Sequence, residues 1–210
     1  MISFETVLKN RRSVRKFSAE MPDDDLIRGV ISAAAMIPAP SNENPVRIVR
    51  ICSYGMRSTL KNAVESGRAA LLNKVEKTKK ARKLKNLINV YHRFSDFMFD
   101  APVLLSIFTR NQDAGFAHRL REEGGVESAF AAGPEKDLTA GCAVMAMLLA
   151  AETLGLGACV LTAPLVFAPD MGAVMGVNGM SLRCFMALGF KDENPQPVKK
   201  PDMADIYIEV

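Results

Sequence analysis

Residues 137–162 read DLTAGCAVMAMLLAAETLGLGACVLT and form a long stretch with very few charges. Its helical part, Ala140 to Leu154, is apolar on nearly every face and carries the single charge Glu152. A helix that is apolar all round lies in a core, often one that is shared with a partner subunit. We therefore expect a central buried helix, capped by Asp137 and ended by Gly155 or Gly157.

Strand and helix signals alternate irregularly on either side of this helix. Short apolar or alternating runs predict strands at Val46–Cys52, Val103–Phe108, Ala158–Leu161 and Leu182–Leu188. Helical spacing predicts helices at Ser3–Asn10, after MPDDD up to Pro38, and from Tyr54 to about Phe99. Because regular strand–helix–strand units are lacking, the pattern indicates an α+β fold.

The composition is that of a single globular domain covering residues 1–210. Hydrophobic residues make up 49% of the 210, enough for one substantial core. The net charge of +4 does not by itself argue for nucleic acid. The opening residues show no signal peptide, and Leu138 to Pro169 is too often interrupted by glycine and proline to cross a membrane.

The cysteine spacing predicts neither a disulfide framework nor a zinc site. Cys52, Cys142, Cys159 and Cys184 contain no CxxC pair and have no histidine nearby. We expect them to be small buried side chains in a reducing compartment, which favours a cytoplasmic protein.

Three clusters of residues are candidates for ligand binding. In the first, Arg11, Arg12 and Arg15 surround Ser13 at the end of a short helix, a donor set suited to phosphate or to another anion. The second is the loop Pro38–Pro45, whose asparagines suit the polar edge of a heterocycle but also simply make turns. The third, Lys199-Lys200-Pro201, is a possible phosphate contact or a solvated surface.

Side chains that would themselves perform catalysis are scarce. The sequence has no dinucleotide-binding glycine motif, no P-loop and no nucleophile elbow, and its two histidines are His92 and His118. We therefore predict no metal site, leave an acid–base role for a histidine open, and expect that a bound cofactor supplies the chemistry, with no catalytic side chain if that cofactor is a flavin.

Taken in order, five segments resemble the FMN-dependent nitroreductase family. They are RRSVRKF, PAPSNENPVRIV, FDAPVLLSIF, the stretch DLTAGCAVMAMLLAAETLGLGACVLT, and CFMALGF followed by a basic pair before Pro201. The resemblance runs from about Phe4 to Pro201, with gaps at Tyr54–Phe97 and Asn111–Lys136. It implies a three-layer sandwich with a central mixed or antiparallel sheet, built as an intertwined homodimer with FMN at two interface sites.

The resemblance also implies roles for particular residues. Arg11, Arg12, Ser13 and Arg15 are similar to residues that grip the phosphate, the ribityl chain and the pyrimidine edge of FMN. Asn42 and Asn44 lie in the loop that contacts the flavin of the other subunit. Leu161, Thr162 and Ala163 occupy the place of backbone near the reactive edge of the ring, and Lys199 stands where an arginine usually helps to hold the phosphate.

The implied activity is transfer of electrons from NADH or NADPH to small acceptors such as nitroaromatics or quinones, by a ping-pong mechanism. Met145-Ala146 and Asn44-Pro45-Val46 depart from the family pattern, and the second departure removes an aromatic wall. These departures leave open a flavin-binding carrier or sensor without significant turnover. The basic stretch Lys74–Lys85 leaves open an acidic protein donor, and less readily nucleic acid. No membrane partner is expected.

Overall fold

The fold is organised around a four-stranded antiparallel sheet. The computed structural model describes residues 3–39, 43–111, 120, 122–126, 134–197 and 201–209. The strands are β1 (Val46–Arg50), β2 (Val103–Arg110), β3 (Leu156–Leu161) and β4 (Met180–Phe190). They lie in the order β1-β2-β4-β3, and every neighbouring pair is antiparallel. All four predicted strands are confirmed, with ends that differ by a few residues.

Helices cover both faces of the sheet. They are α1 (Phe4–Asn10), α2 (Asp24–Ser32), α3 (Tyr54–Val75), α4 (Ala81–Asp96), α5 (Pro134–Thr153), α6 (Ala163–Phe167) and α7 (Met171–Val174). Short 3-10 turns lie at Ala33–Ala35, Phe97–Phe99 and Met203–Asp205. Among the described residues, no helix combines the length and the apolar character needed to cross a bilayer.

The alternation of side chains along β2 separates two hydrophobic cores. Val103, Leu105 and Ile107 point to one face, where they pack with residues of α2 and α5. Leu104 points to the other face, where it packs with residues of α3, α6 and α7. Because successive strand residues face opposite sides, a strand buried on both faces is apolar at nearly every position. The result is the expected α+β sandwich of three layers.

Helix α5 is the apolar helix predicted from residues 140–154, but its start differs. It begins at Pro134, so the prediction that Asp137 caps it is wrong. The Asp137 carboxylate lies inside the first turn and forms an ion pair of 2.8 Å with Arg183 of β4. The predicted end is confirmed, because Gly155 follows the helix with a positive φ of 77°.

The cysteines are only partly as expected. All four are free, and Cys159 and Cys184 are buried in the sheet. Burial raises the pKa of the Cys184 thiol to about 12, so it stays protonated. Cys142 is half-buried and Cys52 is exposed, which makes the prediction of burial wrong for Cys52. Cys52 lies just beyond β1, where the chain leaves the sheet for α3.

A half-buried arginine ties α3 to the sheet. The Arg57 guanidinium donates hydrogen bonds to the carbonyls of Ile51, Phe99, Ala101 and Pro102, which surround the start of β2. Loss of solvation lowers the pKa of Arg57 from its usual value. These bonds satisfy carbonyl groups where the chain enters and leaves the sheet, and they set the position of α3.

Candidate functional site

The basic segment that follows α1 is anchored to the edge of β3. The N–H of Arg11 closes α1 on the Val7 carbonyl at 2.9 Å, and the chain then runs parallel to β3. Ser13 forms a parallel bridge with Ala158, whose carbonyl accepts a 3.0 Å hydrogen bond from the Val14 N–H. The Val14 side chain is fully buried. The backbone of Arg11–Arg15 is therefore held by sheet hydrogen bonding on one side and by core packing on the other.

A second set of bonds holds the same segment to the end of β4. The carboxylate of Glu193 accepts hydrogen bonds from the backbone N–H groups of Arg15 and Lys16, the latter at 3.0 Å. The N–H of Ser18 donates to the Phe190 carbonyl at 3.0 Å, and that of Asp192 donates to the Lys16 carbonyl at 3.1 Å. The basic segment thus lies beside the first residues of β3 and the last residues of β4.

The arginines line a cavity of about 620 Å³ between α1 and the chain after β4. Its described lining consists of Leu8, Lys9, Arg11, Arg12, Ser13, Arg15, Pro195, Gln196, Pro197 and Pro201. The lining contains four cations and no carboxylate among the described residues. A concave surface of this charge attracts anions, and guanidinium groups suit phosphate oxygens in particular.

The three arginine side chains differ in how far they are already engaged by contacts within the chain. Arg12 donates to the carbonyls of Lys9 and Arg11 at 2.6 and 2.9 Å, so it partly caps the end of α1. Arg15 lies over the Phe94 ring of α4, with its Cζ atom 6.0 Å from the ring centroid. The Arg11 side chain donates to no other described residue. Arg11 therefore has its whole donor fork available for a ligand.

Leu161, Thr162 and Ala163 lie at the end of the strand that anchors the arginines. Leu161 is the last residue of β3, and Ala163 begins α6. Ala158, which binds the Ser13–Val14 backbone, precedes Leu161 by three residues, or about 10 Å along a strand. Leu161 is buried, whereas Thr162 is exposed. The structure therefore places Leu161–Ala163 on the strand that anchors Arg11–Arg15, but at the opposite end of β3 from Leu156, which pairs with Phe190 at the end of β4.

Asn44 lies elsewhere in the chain. Its amide nitrogen donates to the Ala34 carbonyl at 2.8 Å, and its amide oxygen accepts from the Val46 N–H at 2.9 Å. It therefore positions the start of β1, which is separated from β3 by two strands, or about 14 Å. Within one chain, Asn44 and the arginine cluster are not brought together. Asn42 and Lys199 lie outside the described residues.

Two other reactive side chains near the core take no part in the cavity lining. Burial raises the pKa of the Cys159 thiol, even though Arg15 and Arg11 act in the opposite direction.

His92 is buried, with its Nε2 atom 2.8 Å from a Glu65 oxygen and its ring edge-on to Phe167. The Asp96 carboxylate lies near this pair. The Arg68 guanidinium is 2.9 Å from the Glu65 carboxylate and the Lys61 ammonium is 3.3 Å from that of Asp96, so both carboxylates are neutralised by a cation. His118 lies outside the described residues.

Sequence reasoning missed the residues that complete the site. Glu193, Pro195 and Gln196 come after β4 in a stretch that reads as an ordinary turn, so the sequence carries no signal for their role. Phe94 falls within the helical pattern predicted from Tyr54 to about Phe99, and its contact with Arg15 follows from the way α4 packs.

Comparison with known proteins assigns the chain to a family. The sequence profile of the Nitroreductase family matches residues 8–190. The chain belongs to this family. The resemblance seen in the sequence is therefore confirmed.

Solved structures show the same fold. A BluB-like flavoprotein from Clostridium difficile 630 superimposes with a TM-score of 0.85 at 22% identity, over 100% of both chains. NADPH:FMN oxidoreductase from Vibrio harveyi, complexed with NAD+, gives 0.66 at 18% identity over 97% of this chain and 75% of that one. Iodotyrosine deiodinase bound to FMN and 3-iodo-L-tyrosine gives 0.68 at 18% identity over 95% of each chain.

The donor set in the cavity fits FMN. The cofactor carries a phosphate, a hydroxylated chain and a ring edge rich in acceptors, all of which need N–H or O–H donors. Arg11, Arg12, Ser13 and Arg15 supply such donors along one short segment. Arg11 has the free fork that a phosphate requires.

Replacement of Gly157 by alanine is expected to disturb this segment. A Cβ atom at Gly157 would lie 2.8 Å from Val14 Cγ1 and 2.9 Å from Lys191 Cγ, closer than packed atoms tolerate. The clash would push Val14 away from β3, and the arginines with it, at a cost of roughly 2 kcal/mol in the free energy of unfolding. We expect FMN titration of the apoprotein to show about tenfold weaker binding than wild type.

Gly189→Ala is the matched control, because Gly189 is the cross-strand partner of Gly157. Its Cβ would meet Pro102 at 2.9 Å and Phe17 at 3.2 Å, and Val14 is not among its three nearest atoms. This variant should lose comparable stability and keep its flavin affinity. Equal losses of affinity in both variants would contradict the proposed link between Gly157 and the arginine segment.

Proposed function

We propose that the protein is an FMN-dependent oxidoreductase. It takes electrons from NADH or NADPH and passes them to small organic acceptors such as nitroaromatics or quinones, in two alternating half-reactions. The observation that carries the proposal is the cationic cavity, in which Arg11 has an uncommitted guanidinium and no described lining residue bears a carboxylate. Membership of the Nitroreductase family supports the assignment to the flavin oxidoreductases.

Each basic residue has a proposed role in binding. Arg11 would hold the phosphate, together with Lys199, while Arg12 and Ser13 would contact the ribityl chain. Arg15 would face the pyrimidine edge, where a guanidinium stabilises the negative charge of the reduced cofactor. The backbone at Leu161, Thr162 and Ala163 would approach the reactive edge of the ring. Thr162 suits this position because it is exposed at the turn from β3 into α6.

We further propose that the active form is a homodimer. Phe4 of α1 is 68% exposed, and Leu138 and Met145 of α5 are 71% and 39% exposed. Such side chains favour contact with a second copy of the chain. The partner would bring its own loop, with Asn42 and Asn44, to the flavin. The amide nitrogen and the amide oxygen of Asn44 both form hydrogen bonds within its own chain. Asn44 would therefore fix the conformation of the loop that contacts the flavin.

The chemistry would come from the cofactor. Bound FMN would supply the two-electron redox chemistry, so no side chain has to act as nucleophile or general base. The cavity residues would bind and orient it, and the raised pKa keeps Cys159 a thiol that does not compete for electrophiles. Four free cysteines are in keeping with a cytoplasmic protein.

The solved relatives illustrate the range of possible partners. The Vibrio harveyi enzyme was crystallised with NAD+, which supports a nicotinamide as donor. The deiodinase was crystallised with 3-iodo-L-tyrosine, which extends the candidate acceptors to halogenated aromatics.

An absorbance spectrum followed by anaerobic addition of NADH or NADPH tests the proposal. We expect two flavin bands that bleach with a nicotinamide and recover when a quinone or nitroaromatic is added. Bands that resist bleaching with both nicotinamides, while FMN is fully bound, would favour a flavin carrier or sensor without turnover. A colourless protein that also fails to take up added FMN would overturn the proposal.

A further inference from the structure

The net positive charge of the chain is concentrated in one short segment. Residues 74–85 carry seven cations and one carboxylate, a net charge of +6, whereas the whole chain carries +4. The rest of the chain is therefore slightly acidic, at −2. We call residues 74–85 the basic tip. A separation of charge of this size orients an approaching charged partner before contact.

The basic tip lies at the turn between α3 and α4 and faces solvent. Its one carboxylate, on Glu76, is 2.8 Å from the Lys85 ammonium. The other six cations have no carboxylate within ion-pair distance among the residues that the structure describes. Four of them, Lys79, Lys80, Arg82 and Lys83, line a shallow concavity of about 440 Å³ together with Asn86. Mutual repulsion of these cations is thus left uncompensated, which leaves them available to an external anionic group.

The solvent-facing side of α4 continues from the tip as an apolar strip. Leu87, Val90, Tyr91 and Phe94 are 51%, 41%, 54% and 60% exposed, and their spacing places them on one helix face. We call these four residues the α4 stripe. The opposite face of α4 packs inward through residues such as His92 and Ser95, which are buried. Among the described residues, the contact of Phe94 with Arg15 therefore accounts for only one end of the stripe.

The α4 stripe leads from the basic tip to the candidate site. Arg82 and Phe94 are twelve residues apart, which is about 18 Å along a helix. The Phe94 ring lies 6.0 Å from the Cζ atom of Arg15, a residue that lines the cationic cavity. A partner bound to both the tip and the stripe would thus reach the site.

We propose that the basic tip and the α4 stripe together form the docking surface for an acidic electron-carrier protein. This inference rests on the proposed flavin function, because it names a second electron donor for the same site. An exposed strip with aromatic side chains next to a charged rim is the usual make-up of a protein interface. The acidic surface of the carrier would supply complementary charge, which mainly speeds association and orients the complex.

Other polyanions fit the arrangement less well. A surface for single-stranded nucleic acid places aromatic rings among its cations, whereas Tyr91 and Phe94 stand two turns or more from the cluster at Lys79–Lys83. An interfacial membrane helix carries its cations along the flanks of its apolar face. Here most of the cations gather at one end of the stripe.

The electron balance is simple for a one-electron carrier. NADH or NADPH delivers a hydride, which comprises two electrons and one proton. Two molecules of reduced carrier would each give up one electron and become oxidised, bound FMN would take up both electrons, and the proton that it also takes up would come from solvent. No further reductant is required, so the carrier can replace the nicotinamide.

Binding measurements with charge variants test the docking surface. The probes are a purified acidic flavodoxin and an acidic [2Fe–2S] ferredoxin, titrated into the FMN-loaded protein in a calorimeter at low and at high salt. For at least one carrier we expect binding that weakens about tenfold or more as salt rises. The triple variant Lys79→Glu, Lys80→Glu, Lys83→Glu should bind it at least about tenfold more weakly. The double variant Leu87→Ser, Tyr91→Ser should bind that carrier several-fold more weakly, with little change in the salt dependence of binding.

The matched control is the triple variant Lys79→Arg, Lys80→Arg, Lys83→Arg, which keeps the charge and should bind within about twofold of wild type. Flavin content and thermal melting, measured on every variant, identify any loss of folding. Absence of binding to both carriers, or binding that the charge reversal leaves unchanged, would overturn the inference. So would tighter binding of an oligonucleotide or of phosphatidylserine vesicles than of either carrier. Carrier binding by a protein that takes up no FMN would instead refute the flavin function and leave the docking surface standing.

Discussion

Replacement of Arg11 by glutamate is expected to weaken FMN binding at least about 100-fold. The Arg11 guanidinium lines the cationic cavity and donates to no other described residue, so its donors are available for the phosphate. A hydrogen bond between charged groups contributes roughly 1.5–3 kcal/mol, and a carboxylate adds repulsion to that loss. Arg11→Ala, which removes the contact alone, should weaken binding about 10- to 100-fold. Titration of the apoprotein, followed by quenching of flavin fluorescence, measures both effects.

Riboflavin, which lacks the phosphate, is the ligand control for this experiment. If Arg11 grips the phosphate, Arg11→Ala should lower the affinity for FMN and leave that for riboflavin nearly unchanged. Arg28→Glu makes the same change of charge on α2, away from the cavity lining, and should bind FMN almost as well as wild type. Equal losses for FMN and riboflavin in Arg11→Ala would show that the phosphate site is misplaced.

Replacement of Gly67 by alanine should destabilise the protein, although the same change usually stabilises a helix. In an exposed helix interior, alanine is favoured over glycine by roughly 0.5–1 kcal/mol. At Gly67, however, a Cβ atom would overlap the carbonyl group of Phe167, at the end of α6. Backbone cannot move aside as a side chain does, so α3 and α6 would have to separate. We expect a loss of about 3 kcal/mol, or a melting temperature lower by about 6–12 °C.

The control lies in the same helix. Gly55→Ala places its Cβ no closer than 3.6 Å to the Ser53 hydroxyl, so that variant should melt within a few degrees of wild type. Because α6 begins at Ala163, beside the proposed flavin contacts, Gly67→Ala should also release FMN at a lower temperature than wild type. A Gly67→Ala protein as stable as wild type would mean that the two helices do not approach as closely as described.

Local sequence patterns were sufficient for most of the secondary structure. The run Val103–Phe108 predicts a strand buried on both faces because nearly every residue is apolar, and β2 occupies the middle of the sheet. The even apolarity of Ala140–Leu154 predicts a core helix; α5 forms there, but within one chain it buries only the side that carries Ala143, Met147 and Ala151, and Met145 is 39% exposed. Both signals depend only on side chains within a few residues of one another, so they can be read without the fold.

Signals that depend on distant residues were misread or absent. Asp137 resembles a helix cap, but Pro134 begins the helix earlier and Arg183 of β4 takes the carboxylate. Likewise, nothing near Glu193 in the sequence shows that its carboxylate binds the backbone of Arg15 and Lys16, which lie almost 180 residues earlier. Such contacts join parts of the chain that only the completed sheet brings together.

The fold class, the family and the chemistry of the basic segment can therefore be predicted from the amino-acid sequence alone. These follow from residue types and short spacings, such as the three guanidiniums around Ser13. Only the folded chain places that segment on the edge of β3 at Ala158, three residues before Leu161, and across the sheet from Asn44. It also decided that the exposed face of α4 joins the basic tip to Arg15. Strand order and helix packing depend on how much apolar surface the whole chain buries. No local sequence pattern specifies that total buried surface.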